Sequence, residues 1–219
     1  MGIMMQNFQA FGYPLDIKIT QEPVNYIEAV EKMEALVAQM IQGHQQECIW
    51  LLEHDPVYTG GVRAQQKDIL DLEGVPYVPV RRGGRVTYHG PGQRVIYFML
   101  DLNKRGRDLR QFIRWLEALL IATLNDLGIH AFAHPDRIGI WTHYQNQALK
   151  IGAIGVQVRK WVTFHGVAIN VHPDLEAFQR IIPCGLKDFP VGSLQMLNPT
   201  VTMPAFDAVF LRQLAHFTD

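Results

Sequence analysis

A lysine and a cysteine stand among glycine-rich, sheet-like stretches of this chain, and together they point to one kind of chemistry. Cys184 lies between Pro183 and Gly185, in a stretch with neither strand nor helix periodicity. Proline fixes the backbone direction and glycine strips away steric cover, so a thiol there is well placed for attack. Taken alone, Cys184 reads equally as a nucleophile and as a small buried residue. Lys150 opens the stretch Lys150-Ile151-Gly152-Ala153-Ile154-Gly155-Val156, in which two glycines leave gaps between apolar side chains. A lysine at the edge of such a segment either snorkels to solvent or points into a pocket. Inside a pocket, its ammonium would hold Cys184 as thiolate. A lysine whose pKa burial had lowered would take the thiol proton instead. Reference values of about 10.4 for lysine and 8.5 for cysteine favour the ammonium–thiolate pair. Either state activates sulfur for acyl transfer through a thioester.

Two further segments carry polar groups on glycine-rich backbone. The first is Arg82-Gly83-Gly84-Arg85-Val86-Thr87-Tyr88-His89-Gly90-Pro91-Gly92-Gln93. It matches neither the dinucleotide nor the Walker pattern, so a nucleotide phosphate is not its obvious ligand. Dense glycine beside polar and aromatic side chains suits a loop lying over an elongated ligand. The second is Phe164-His165-Gly166-Val167-Ala168-Ile169-Asn170-Val171. His89 and His165 could each donate a hydrogen bond near a reacting carbonyl, although a structural role is the commoner fate of any one histidine.

Composition narrows the function. The chain has 219 residues, 48% of them hydrophobic, and reads as one domain with a sizeable core. A formal charge of −1 argues against nucleic-acid binding, which needs a basic excess. Basic residues do gather at Arg81-Arg82-Arg85 and at Lys104-Arg105-Arg107-Arg110, either as a solvated face or as a meeting point for an acidic protein. The start of the chain lacks a secretory pattern and no apolar run reaches membrane-spanning length. The expectation is therefore a cytoplasmic protein with reduced thiols. Cys48, inside Cys48-Ile49-Trp50-Leu51-Leu52, reads as a small apolar residue in a buried strand. Cysteine and histidine spacing shows no zinc pattern.

These residues need a scaffold. Apolar periodicity predicts a helix over Val24 to Ile41, stopped at Gly43, and a second one capped by Asp108 and ending at Gly128. Phe206 to Phe217 reads as a terminal amphipathic helix. Strands are expected at Cys48–Leu52, Val75–Val80, Val95–Leu102, Ile138–Thr142, Ala148–Val158 and Trp161–Val171, the last two as a hairpin around Arg159-Lys160. The uninterrupted apolar character of Val95–Leu102 suggests a central strand. The order is mixed rather than alternating, which predicts an α+β fold.

Taken together, the segments resemble the lipoyl(octanoyl) transferases. The family pattern Arg-Gly-Gly-x-x-Thr-Tyr-His-Gly-Pro-Gly-Gln stands complete at Arg82 to Gln93. Lys-Ile-x-x-Ile-Gly-Val stands at Lys150 to Val156, Phe-His-Gly-x-Ala-x-Asn-Val at Phe164 to Val171, and Pro-Cys-Gly at Pro183 to Gly185. One departure is the Gly60-Gly61-Val62-Arg63 run, where the family usually has Leu-Gly and an arginine-like residue. The resemblance implies a fold like the biotin and lipoate protein ligase catalytic domain, a mixed β-sheet flanked by helices. It implies transfer of an octanoyl group from acyl carrier protein, through a Cys184 acyl-enzyme, to a lysine on a lipoyl domain or on the glycine-cleavage H protein. It makes Cys184 and Lys150 catalytic. Arg82, Gly83, Gly84, Arg85, Val86, Thr87, Tyr88 and His89 would line the substrate site, with Ala153, Ile154 and Gly155 and with His165, Gly166, Val167 and Ala168. No cofactor, ATP or metal is implied, and a monomer is expected. Two alternatives remain at this point. An ATP-dependent lipoate or biotin ligase would keep the lysine without needing Cys184, and a non-catalytic carrier-binding module would need neither.

Overall fold

The computed structural model describes residues 3–10, 12–183 and 190–218. Its main sheet has eight strands: β1 (Ile3–Ala10), β2 (Tyr13–Thr20), β3 (Glu47–Leu52), β7 (Gln93–Met99), β8 (Ala131–His134), β9 (Arg137–Tyr144), β10 (Gln147–Arg159) and β11 (Val162–Asn170). They lie in the order β1-β2-β3-β7-β11-β10-β9-β8. Every neighbouring pair is antiparallel except β2 and β3, whose connection runs through helix α1 (Tyr26–Ile41). A small sheet, β5-β4-β6, is built from β4 (Val57–Gly60), β5 (Tyr77–Pro79) and β6 (Val86–His89). The fold is α+β, as the mixed element order implies.

Strand periodicity divides the core between the two faces of the main sheet. Cys48, Trp50 and Leu52 of β3 and Val95, Tyr97 and Met99 of β7 pack under α1, against Ala29, Met33 and Val37. The intervening Ile49, Leu51, Ile96 and Phe98 face the opposite core, covered by α2 (Leu109–Asp126) and the C-terminal helix α3 (Met203–Thr218). Burial on both faces explains why β3 and β7 read as unbroken apolar runs, and β7 is indeed central. Cys48 is buried, and burial pushes its thiol up to about 12, so it acts as a small apolar residue.

The helix signals hold. The Asn25 side chain accepts from Ile27 N and Glu28 N at the start of α1, and Asp108 accepts from Arg110 N and Gln111 N at the start of α2. Gly43 and Gly128, just past the two C-termini, take positive φ. Three boundaries shift. The run expected as strand through Leu102 ends at Met99 and passes into a 3-10 turn at Leu102–Arg105. The stretch expected as a strand over Val75–Val80 is one only at β5. The last hairpin turns at Lys160-Trp161, both with positive φ, one residue later than expected.

Candidate active site

Over the middle of the main sheet, beneath the small sheet, lies a pocket of about 470 Å3, mouth included. The floor comes from β7, β10 and β11, where Val95, Ala153, Gly166 and Ala168 present no polar side-chain atoms. Arg82, Thr87 and His89 close it from the small-sheet side.

Of the expected binding residues, Gly84, Ile154, Gly155, His165 and Val167 line this pocket as well. Gly83 and Arg85 instead line an adjoining open groove, and Arg85 there is held by Asp68 at 2.8 Å. Val86 and Tyr88 do not face the pocket. Alternation along β6 turns Thr87 and His89 toward it, while Val86 and Tyr88 pack into a separate cluster with Tyr58 and Phe178. Tyr26, from the first turn of α1, together with Val95 and Tyr97 of β7, lines the pocket too. These were missed because sequence marked them only as core positions.

Lys150 lines the adjoining groove, which shares Gly84, Ile154 and Gly155 with the pocket. It is only 7% exposed, so it points inward rather than snorkelling. Its Nζ donates to Ile138 O at 3.4 Å and lies 5.3 Å from the Trp141 ring centre. A register shift between Lys150 and Gly152 marks a bulge at the start of the pocket-facing stretch of β10. Gly139 makes room for the side chain, since a Cβ there would come within 3.2 Å of Nζ. Gly155 does the same for the roof, its missing Cβ leaving space for Gly83 O and the Arg82 side chain.

Cys184 and Gly185 lie outside the described residues. The chain on either side of them is tied to the site. Ile182 N donates to Asp68 O at 2.7 Å, and Lys150 N donates to Pro190 O at 3.0 Å.

Inside the pocket, one fixed cation faces a neutral polar array. Arg82 donates to Thr59 O, Thr59 Oγ1 and Gly83 O, while its buried Nε has no hydrogen-bond partner among the described residues. His54 Nδ1 is 2.9 Å from Val24 O, which can only accept, so Nδ1 carries the proton and Nε2 accepts from the Tyr97 hydroxyl at 2.7 Å. His89 Nδ1 donates to Gln93 Oε1 at 2.7 Å, and Gln93 Nε2 donates to Tyr88 O and Asn170 Oδ1. Burial lowers His54 to about 4. Burial, helped by the Arg82 charge, lowers His165 to about 3. His89 is also driven down, by burial first and then by His54 and Arg82. Near neutral pH all three rings are therefore uncharged, and Arg82 carries the pocket's positive charge.

The unfolded chain protonates these histidines at about pH 6.5, before the folded one does. Their contribution to stability is therefore full above that pH and is lost as pH falls toward 4 for His54 and 3 for His165. At pH 5 each should cost roughly 2 kcal/mol. Denaturant midpoints measured from pH 7.5 to 5 should fall, with a shallower slope in His54→Gln. An identical slope in that variant would reject the assignment.

A mixed sheet covered by helices on both faces thus carries a buried lysine beside a pocket over its centre. Residues 25–215 match the lipoyl protein ligase A/B catalytic domain, and the chain belongs to that family. Two solved structures share the fold. A lipoate-protein ligase A bound with ATP superposes with a TM-score of 0.72 at 16% identity, over 92% of this chain and 84% of that one. A bipartite lipoate protein ligase from Thermoplasma acidophilum superposes with a TM-score of 0.70 at 16% identity, over 93% and 82%. Within the family, the chain is similar to the octanoyltransferase of Rhizorhabdus wittichii, at 48% identity over 90% of this chain and 89% of that protein. It is similar also to the octanoyltransferase of Zymomonas mobilis, at 40% identity over 94% and 95%. The resemblance read from the linked motifs thus holds. No helix among the described residues is long and apolar enough to cross a membrane.

Proposed function

We propose that residues 1–219 act as one catalytic domain that transfers an octanoyl group from acyl carrier protein to a lysine of a lipoyl domain or of the glycine-cleavage H protein. The observation that carries this reading is the junction of two spaces at Gly84, Ile154 and Gly155. The apolar-floored pocket takes the acyl tail, and the groove beside it holds the inward-pointing Lys150. The Lys150 backbone is bonded to Pro190, six residues beyond Cys184, which supports action by the two as a pair.

In the first step, Cys184 Sγ attacks the thioester carbonyl, a C–S bond forms to the enzyme, and the carrier's pantetheine thiol leaves. In the second, the acceptor amine attacks the acyl-enzyme, a C–N bond forms, and Cys184 is released with its thiol restored. Lys150 stabilises the thiolate and handles the amine proton. Exchange between thioesters is nearly isoenergetic and transfer to an amide is downhill, so the reaction needs no ATP.

Intact-protein mass after mixing with octanoyl-acyl carrier protein, without ATP or acceptor, tests the proposal. One octanoyl adduct is expected on the wild type and none on Cys184→Ala, with discharge on adding a lipoyl domain. No adduct on the wild type, with activity that needs ATP and survives Cys184→Ala, would make it a ligase.

A further inference from the structure

We propose that His165 and Tyr26 form the end wall of the acyl pocket and set the longest acyl chain it accepts, an inference that rests on the acyl-transfer reading above. The pocket meets the Lys150 groove on one side, through Gly84, Ile154 and Gly155. Different residues, Tyr26 and His165, line both the pocket and a second space of about 620 Å3, open solvent included, that opens between α1 and the residues around β5. Both side chains are nearly fully buried. The two rings therefore stand between two spaces that would otherwise join. Beyond them, Ile27, Val30, Val78 and Val80 offer an apolar surface, with Glu31 and Glu34 beside it.

The wall is held at a conformational cost. His165 lies within β11 yet has φ of 59°, a left-handed conformation that disfavours a side chain. Strict alternation would place it opposite Phe164 and Gly166. Instead its ring stacks on Phe164 at 5.4 Å and meets the edge of Tyr97 at 5.9 Å, on the α1 face. The His165 backbone N–H points to the sulfur of Met33, a weak acceptor, at 3.1 Å. Tyr26 stacks on His89 at 5.9 Å and meets His54 edge-on at 4.9 Å, which fixes the other half of the wall. The twisted backbone thus brings a bulky ring across the pocket, where alternation alone would leave a passage.

A chain longer than the pocket must displace these rings. One methylene more or fewer in an apolar site is worth roughly 10–200-fold in selection. Glycine at 165 would accept the same φ without strain and would remove the ring. The pocket would then run on to the Ile27 and Val30 surface.

The test is binding of octanoate and dodecanoate by titration calorimetry, with octanoyl and dodecanoyl carrier thioesters run in parallel by intact mass. Wild type should favour the shorter chain by on the order of tenfold or more. His165→Gly should erase or reverse that preference, and Tyr26→Ala, which opens the wall from the other side, should shift it the same way. Tyr26→Phe keeps the ring and should keep the preference. Folded His165→Gly and Tyr26→Ala proteins with the wild-type ratio would overturn the inference. A shifted binding ratio without a covalent adduct on any protein would uphold the wall and reject the transfer reading instead.

Discussion

Lys150→Ala is expected to lower kcat/KM for octanoyl transfer by roughly 10²–10⁴-fold, the usual range for a positioned proton-transfer or charge-stabilising group. The bulge at Lys150/Gly152, the glycine at 139 and the Trp141 face together hold a buried Nζ beside the groove. Lys150→Arg separates its two possible roles. Arginine keeps the positive charge but cannot give up its proton. If Lys150 only stabilises the thiolate, the arginine variant should keep part of the rate of acyl-enzyme formation. If it acts as a base toward the acceptor amine, that variant should acylate yet fail to discharge. Single-turnover measurements of each half-reaction read this directly. Near-wild-type rates for both half-reactions in folded Lys150→Ala would remove Lys150 from the mechanism.

Glu47→Ala should cost about 3–5 kcal/mol of stability. Glu47 opens β3 and is only 1% exposed. Its two carboxylate oxygens each accept from Arg105 at 2.6 Å, and one also accepts from Asp101 N at 2.8 Å. Removing the carboxylate leaves a largely buried guanidinium without its counter-charge, the costly half of a broken buried pair. For a chain of this size the midpoint of thermal unfolding should drop by roughly 6–20 °C. The same pair revises the reading of the Lys104-Arg105-Arg107-Arg110 cluster as a face for an acidic partner. Arg105 is spent inside the protein, tying the 3-10 turn after β7 to the start of β3. Below the melting transition, Glu47→Ala should therefore keep a normal KM for carrier protein. A stability loss under 1 kcal/mol by denaturant titration would refute this account of the pair.

How far the site could be read in advance differs from residue to residue. Arg82, Thr87, His89, Gly155 and Gly166 announced themselves by type, because glycine beside a polar side chain signals a close backbone approach. Val86 and Tyr88 belong to the same motif but face the other way, because a strand period of two allows only alternate residues to reach one face. Tyr26 and Tyr97 are written into amphipathic and apolar runs, so nothing local distinguished them from core. The Asp108 cap and the stops at Gly43 and Gly128 were local features and held, since capping is decided within one turn.

The α+β class, the Asp108 cap, the stops at Gly43 and Gly128, the central β7 and the set of residue types able to support acyl transfer were all legible in the chain. These rest on short-range patterns and on linked motifs. The three-dimensional packing turns Lys150 inward, keeps His54, His89 and His165 neutral around Arg82, and buries Arg105 with Glu47. It alone put the His165 ring on the α1 face. Each of these depends on desolvation, on charge partners or on a backbone angle imposed by strands distant in sequence, and no local pattern encodes them.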